Sequence, residues 1–402
     1  MWRPATLNPF EPGHDVVPPI WAGRQQELFD WERVLRPRRL IGQYERGRAL
    51  LGEPGIGKSV LAAKIALDAE ERGDIVVPPV RIPRGTDVLA LLAEALTTTV
   101  HRHELGARVG DRLAGLLGRV RAIAYVELES GPPPRNPHLQ LRDLLIELGR
   151  YAAERDRVVF VHLDEVQNVT DQDALSQLLV ALGDAIRHTD EHRDAAGTVH
   201  RKVLPLVVYI TGLPEFTDLA TSMAGATFAR RFLPLRLTHL DDDELREALA
   251  VFTTAEGWPV PGESGGVVMT DGAIDAILGF ALGDPFLFQL IGKAAWDAEP
   301  HEHVVTAAHV AAGAEQVGDE ARSHVDRLIA RLSERERALL DAMIALPPAR
   351  RTLTQIGTQM GATPQQLGSA SQRLAERGVI ERGKPYRFLA RTVEGRLRGD
   401  WP

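Results

Sequence analysis

Residues 52 to 59 read GEPGIGKS, and this octet constrains the chain more than any other stretch of its 402 residues. Glycines at 52, 55 and 57 let backbone N–H groups turn inward around one anion without Cβ clashes, and a helix opening near Lys58 would aim its positive end at the same point. The apolar run RALLGE leads into the octet and the helix-patterned SVLAAKIALDAEERG follows. Strand, glycine loop, helix is the context that the G-x-x-x-x-G-K-[ST] spacing needs to cradle a phosphate chain. Gly52, Glu53, Pro54, Gly55, Ile56, Gly57, Lys58, Ser59 and Val60 are therefore the expected nucleotide-binding residues. Lys58 would reach the β and γ phosphates and Ser59 would ligate Mg2+, with ATP or ADP as the nucleotide.

A metal at such a loop needs an acidic anchor. The run RVVFVHLDE ends in Asp164 and Glu165, at the C-terminal edge of an apolar strand, where sheets of this kind bind ligands. Asp164 would hold magnesium and Glu165 would orient and polarise the attacking water. Taken without the glycine loop, the pair reads equally as a solvated surface turn.

Apolar runs alternate with helical patterns through RALLGE, DIVVPPVRIP, RVVFVHLDE and LPLVVYITG, which predicts an α/β fold with a parallel sheet covered on both faces. After RFLPLRLTHL the strand signal stops, and the stretch to about residue 322 reads as an all-helical unit. A third unit follows. Ser333 and Glu336 form a capping box ahead of a helix that Pro347 and Pro348 end; a short helix over LTQIGTQ meets a turn at Gly361; Thr363, Pro364 and Gln366 open another that Gly378 closes; GVIERGKPYRFLA reads as two short strands. Three helices and a hairpin are the plan of a winged helix. The expected domains are 1–238 (arm and ATPase core), 239–322 (lid) and 323–402 (winged helix).

The motifs GEPGIGKS, VVFVHLDE and IWAGRQQEL with Gly283-Asp284-Pro285 together resemble the AAA+ ATPases and their STAND signalling relatives, and the three-part layout is similar to the origin-recognition and archaeal replication-initiator branch. The resemblance implies a P-loop NTPase (AAA+-like) parallel sheet with a helical lid domain and a C-terminal winged-helix domain. Carried over residue by residue, it makes Trp21, Gly23 and Arg24 part of an adenine-packing box, which otherwise reads as a helix cap beside a tryptophan. Thr211 falls at the sensor-1 position, and Arg230 or Arg231 at that of an arginine sensing the γ phosphate within the subunit or across an interface; a surface helix cap is the other reading of the arginines. Pro285 matches the lid proline that touches nucleotide in STAND proteins. The chain departs from the initiators at Phe286, where they tend to carry a lid arginine, so a slow switch is expected rather than a motor.

The net charge of −8 hides an asymmetry, because residues 345–402 hold ten basic side chains against four acidic ones. On the expected recognition helix, Gln365, Gln366, Gln372 and Arg373 lie off the apolar stripe, and Arg382, Lys384 and Arg387 fall in the wing. Amides and arginine can read base edges and the wing cations suit phosphates, so double-stranded DNA is the expected partner. A protein partner bound through the same face is the alternative, which would make the chain a signalling or regulatory adaptor; a target-selection ATPase of a mobile element or defence system is a third reading. ATP-dependent homo-oligomers follow from the resemblance alone. The chain has no cysteine and no stretch of about 18 uninterrupted apolar residues, which excludes disulfide and thiol chemistry and points to a cytoplasmic protein with no membrane partner. The charged segment 187–202 is expected to be a solvated loop, with His188 and His192 at helical metal-ligand spacing but nothing to complete a site.

Overall fold

The computed structural model describes residues 3–13, 16–103, 116, 118, 120, 123, 136–193, 198–216, 220, 231–263 and 265–401. The chain divides into two compact units, one of residues 24–51 and 61–235, the other of residues 1–23, 52–60 and 236–402.

The first unit opens with α1 (Gln25–Phe29), a π-helical turn over Asp30–Leu35 and α2 (Arg36–Leu40). Then come β1 (Gly47–Leu51), α3 (Lys58–Glu71), β2 (Ile75–Val76), β3 (Val80–Arg81), α4 (Val88–Arg102), α5 (Pro137–Ala153), β4 (Val159–Asp164) and α6 (Gln172–Arg187). The hairpin β5 (Thr189–Arg193) and β6 (Val199–Val203) precedes β7 (Leu206–Gly212) and β8 (Phe232–Arg236). Among the described residues the sheet runs β2-β4-β7-β1-β8, with β3 also paired to β4. The pairings of β4 with β2, β3 and β7, and of β1 with β7, are all parallel. Every residue of β1, β4 and β7 is buried, which is why these strands read as unbroken apolar runs rather than alternating ones. Asp87 and Asp171 cap α4 and α6 by accepting two backbone N–H bonds each.

The segment 187–202 corrects the loop expectation. Two antiparallel strands set its acids opposite its bases: Asp190 is the register partner of Lys202, Glu191 faces Arg201 with a 3.1 Å ion pair, and His192 is the register partner of His200 on a strand, not one turn from His188 on a helix.

The second unit contains α7 (Asp242–Ala248), β9 (Trp258–Pro259), β10 (Gly266–Met269), α8 (Asp271–Ala281), α9 (Pro285–Asp297), β11 (Val304–Val305) and α10 (Ala307–Ala330). The lid is therefore helical but not all-helical. The apolar GVVM of β10 pairs with β9 on one side and β11 on the other, a sheet of two- to four-residue strands too short to show a period in sequence. The N-terminal arm lies on α9: buried Arg3 donates to the Ala295 carbonyl at 3.0 Å, and Phe10 packs against Gly292, where a Cβ would come within 2.3 Å of the ring.

Three helices, α11 (Glu334–Ile344), α12 (Leu353–Met360) and α13 (Pro364–Glu376), with the strands β12 (Ile380–Glu381) and β13 (Arg387–Phe388), make the winged helix, and α14 (Arg391–Arg398) follows. Both expected capping boxes, Ser333 with Glu336 and Thr363 with Gln366, are formed. No described helix is long and apolar enough to cross a membrane.

Candidate functional site

The glycine loop has the backbone that its composition requires. Gly55 and Gly57 sit at φ +85° and +90°, in the region that Cβ-bearing residues avoid. At Gly57 a Cβ would meet no atom within 4 Å, so the backbone alone demands glycine there. At Gly55 a neighbour demands it too, since a Cβ would come within 2.6 Å of the His324 ring. Lys58 is buried, and its ammonium donates to the carbonyls of Gly52 and Glu53, both at 2.9 Å. Ser59 and Val60 lie in the first turn of α3.

The lid flanks this loop with a cluster that sequence reasoning missed. Asp284 caps α9, accepting from the N–H groups of Phe286 and Leu287, and its second oxygen bonds His324 at 2.9 Å with His239 at 3.8 Å. Burial alone would raise the Asp284 carboxyl, yet the bond to His324 and the two histidines hold it below its ordinary value. Pro285 is the N1 residue of α9, and the Phe286 ring packs against His324 at a centroid distance of 4.7 Å, tilted by 33°. Asp before Pro is a visible N-cap signal, but nothing local announces His324, forty residues on.

In the arm, Trp21 Nε1 donates to the Gly23 carbonyl at 2.9 Å. Gly23 has φ +63° and approaches Glu244 and Leu240 so closely that a Cβ would fall within 2.6 Å of each. Arg24 is the left-handed N-cap of α1.

The acid pair lies at the C-terminal edge of the sheet in the other unit. Leu51, the last residue of β1, is the register partner of Gly212, and Leu163 is that of Ile210, so β1 and β4 flank the end of β7. The Thr211 hydroxyl donates to the buried Asp164 carboxylate, which also accepts the Glu165 N–H at 3.0 Å. Glu165 holds φ +61°, a left-handed conformation that costs a non-glycine residue about 1–2 kcal/mol. Gln167 donates to the Glu165 carboxylate and accepts from the Leu213 N–H, fixing that side chain against β7. Thr211, Asp164 and Glu165 are thus assembled as one polar set.

Arg231 lies across Gly183 of α6, with Nη2 2.8 Å from Asp184, so its guanidinium is engaged within its own unit. Arg230 is outside the described residues. On α13, Arg373 bonds the buried Glu336 at 2.8 Å, Gln366 completes its own cap and Gln372 pairs with Glu376, whereas Gln365 and the wing cations Arg382, Lys384 and Arg387 are exposed. Among the described residues no group of three His, Asp or Glu forms a metal cluster, His188 included.

Residues 21–189, which contain the loop and the acid pair, match the family model for an AAA ATPase domain. The resemblance to the AAA+ ATPases holds. Residues 324–387 match a domain of unknown function, and no curated protein matches the chain. The Walker-type ATPase of Pyrococcus abyssi is similar in structure, with TM-score 0.57 and 16% identity over 93% of this chain and 97% of its own. The ORC2 protein of Aeropyrum pernix, solved as ADPNP–ADP complexes, gives TM-score 0.52 and 15% identity over 96% and 97%. At these identities the likeness is one of fold, and it runs the length of both chains. The fold class is that of a P-loop NTPase with a lid and a winged helix appended to the AAA domain.

Proposed function

We propose that the chain is an ATP-dependent switch in which Mg2+·ATP binding at the glycine loop, followed by slow hydrolysis, is coupled to engagement of double-stranded DNA by the winged helix. The observation that carries this reading is a buried lysine ammonium held inside a loop of positive-φ glycines. A lysine so placed can exchange two carbonyl partners for phosphate oxygens with little movement. Ser59 and Asp164 are hard oxygen donors of the kind magnesium takes, and the ion would neutralise phosphate charge there. Glu165 would orient and polarise the water from its fixed rotamer, Thr211 would keep Asp164 aligned, and Lys58 with Arg230 or Arg231 would stabilise negative charge on the phosphates. Trp21, Gly23, Arg24 and Pro285 would hold the base and ribose side. The functional division follows 1–238, 239–322 and 323–402, and ATP-bound copies would associate through the arginine face in the cytoplasm.

At the DNA, the internal bonds of Gln366, Gln372 and Arg373 favour phosphate contacts from Arg382, Lys384 and Arg387 over base reading, with Gln365 at the helix start. The same commitment of α13 to its own scaffold supports a second reading, an adaptor whose winged helix meets a protein. Phosphate release from ATP, with and without duplex DNA, separates them. DNA-stimulated turnover that disappears in Lys58→Ala and Glu165→Gln supports the switch; turnover indifferent to DNA supports the adaptor; no turnover in the wild type rejects the hydrolytic part.

A further inference from the structure

Glu53 is the second residue of the glycine loop and is buried, only 8% exposed. Its carboxylate lies 3.2 Å from Arg331 Nη1 and 3.9 Å from Arg377 Nη1. Arg377 also donates to the Arg331 carbonyl at 3.3 Å, which ties the three residues into one cluster. Arg331 is the C-cap of α10, and Arg377 is the C-cap of α13, the recognition helix. Leu328, Leu332, Val379 and Val393 line the surrounding cavity.

Two physical points give this arrangement a direction. Helix C-termini carry partial negative charge, so a carboxylate between two of them is unfavourable without the guanidinium groups. The cavity is lined by those apolar side chains and by His239, and a buried carboxylate that loses a guanidinium partner there is left uncompensated, so the three residues act as one set. Glu53 thereby binds the loop to the end of α13. The same residue offers its backbone carbonyl to the Lys58 ammonium at 2.9 Å. When Lys58 turns to a phosphate, Glu53 loses that bond while its side chain stays clamped.

We infer that Glu53 is a positioning residue that couples nucleotide occupancy of the loop to the winged helix, through Arg331 and Arg377. The inference rests on the nucleotide reading of the loop, and its ligand is the nucleoside triphosphate of that reading. It adds that the signal leaves the site through a loop side chain rather than through the lid helix that begins at Pro285.

The test is hydrogen exchange on the full chain with and without Mg2+ and the non-hydrolysable analogue ADPNP, while a fluorescent-nucleotide titration on the same samples reports binding. In the wild type, ADPNP is expected to change exchange over residues 363–381. In Arg377→Gln, the nucleotide is expected still to bind, as the titration reports, while the response over 363–381 is lost; Arg331→Gln, checked alongside by its melting curve, is expected to lose it too, and Arg377→Lys to recover part of it. A full response in Arg377→Gln and Arg331→Gln with nucleotide bound would overturn the coupling, as would a wild type that binds ADPNP without any change over 363–381. A wild type that does not bind ADPNP would overturn the nucleotide reading itself, and the coupling with it.

Discussion

The hydroxyl of Thr211 donates to the carboxylate of Asp164 between the ends of two parallel strands, so the residue expected to sense nucleotide is bound to the residue expected to hold its metal. Hydrogen bonds to charged groups contribute about 1.5–3 kcal/mol, which corresponds to roughly a 10- to 150-fold change in rate if the bond serves the reacting geometry. Thr211→Val is therefore expected to lower phosphate release by that order, and Thr211→Ser to retain most of it. Equal rates for Val and wild type would show that the bond only supports the sheet.

Gly55→Ala combines a left-handed φ with a neighbour 2.6 Å from the new Cβ. A penalty of about 1–3 kcal/mol is expected in the native state. The melting temperature should fall, and nucleotide affinity should fall further because the N–H groups of the loop turn away from the anion. Gly368→Ala, in the interior of α13 where a Cβ meets nothing within 4 Å, is the control and should leave nucleotide affinity unchanged while raising the melting temperature slightly.

Much of this site was legible from local pattern, and the rest was not for a definite reason. The octet at 52–59, the acid pair and the two capping boxes depend on residues a few positions apart, and all of them adopt the expected local structure. The partners of the loop do not. His324, Arg331 and Arg377 lie 269 to 324 positions along the chain from Gly55 and Glu53, and only packing brings them together. Short strands were missed at β9 to β11 because two to four residues carry no period, and the 189–203 hairpin was missed because cross-strand charge pairing leaves no apolar face to read.

Asp284 gives the stability a pH dependence with a defined sign. Its folded carboxyl is held below the ordinary value of 3.8, so the unfolded chain takes up its proton first as pH falls. The contribution is complete above the unfolded value, declines from about pH 4 downward and is gone once pH passes the folded value. Asp284→Asn keeps an N-cap of similar quality but removes the charge facing His324 and His239. Urea midpoints measured between pH 3 and 7 should converge for the two proteins at the acid end; parallel curves would contradict the assignment.

Arg373 and the wing cations should separate cleanly. Arg373→Ala leaves the buried Glu336 without its 2.8 Å partner and is expected to cost about 1–2 kcal/mol of stability, discounted because Arg373 is itself half exposed. Arg382→Ala, Lys384→Ala and Arg387→Ala should leave stability unchanged. Each that touches a phosphate lowers the salt slope of duplex binding by about 0.9. Binding measured at several salt concentrations would show this, and an unchanged slope in the triple variant would remove the wing from the interface.

The claim on which the rest depends is that the glycine loop holds a nucleotide through Lys58. Titration calorimetry of ATP into the purified chain, with Mg2+ and then with the metal chelated, tests it directly. One site per chain is expected, weakened by chelation and lost in Lys58→Ala with the melting curve intact. ATP binding of equal strength in the wild type and Lys58→Ala, or none in the wild type, would contradict it.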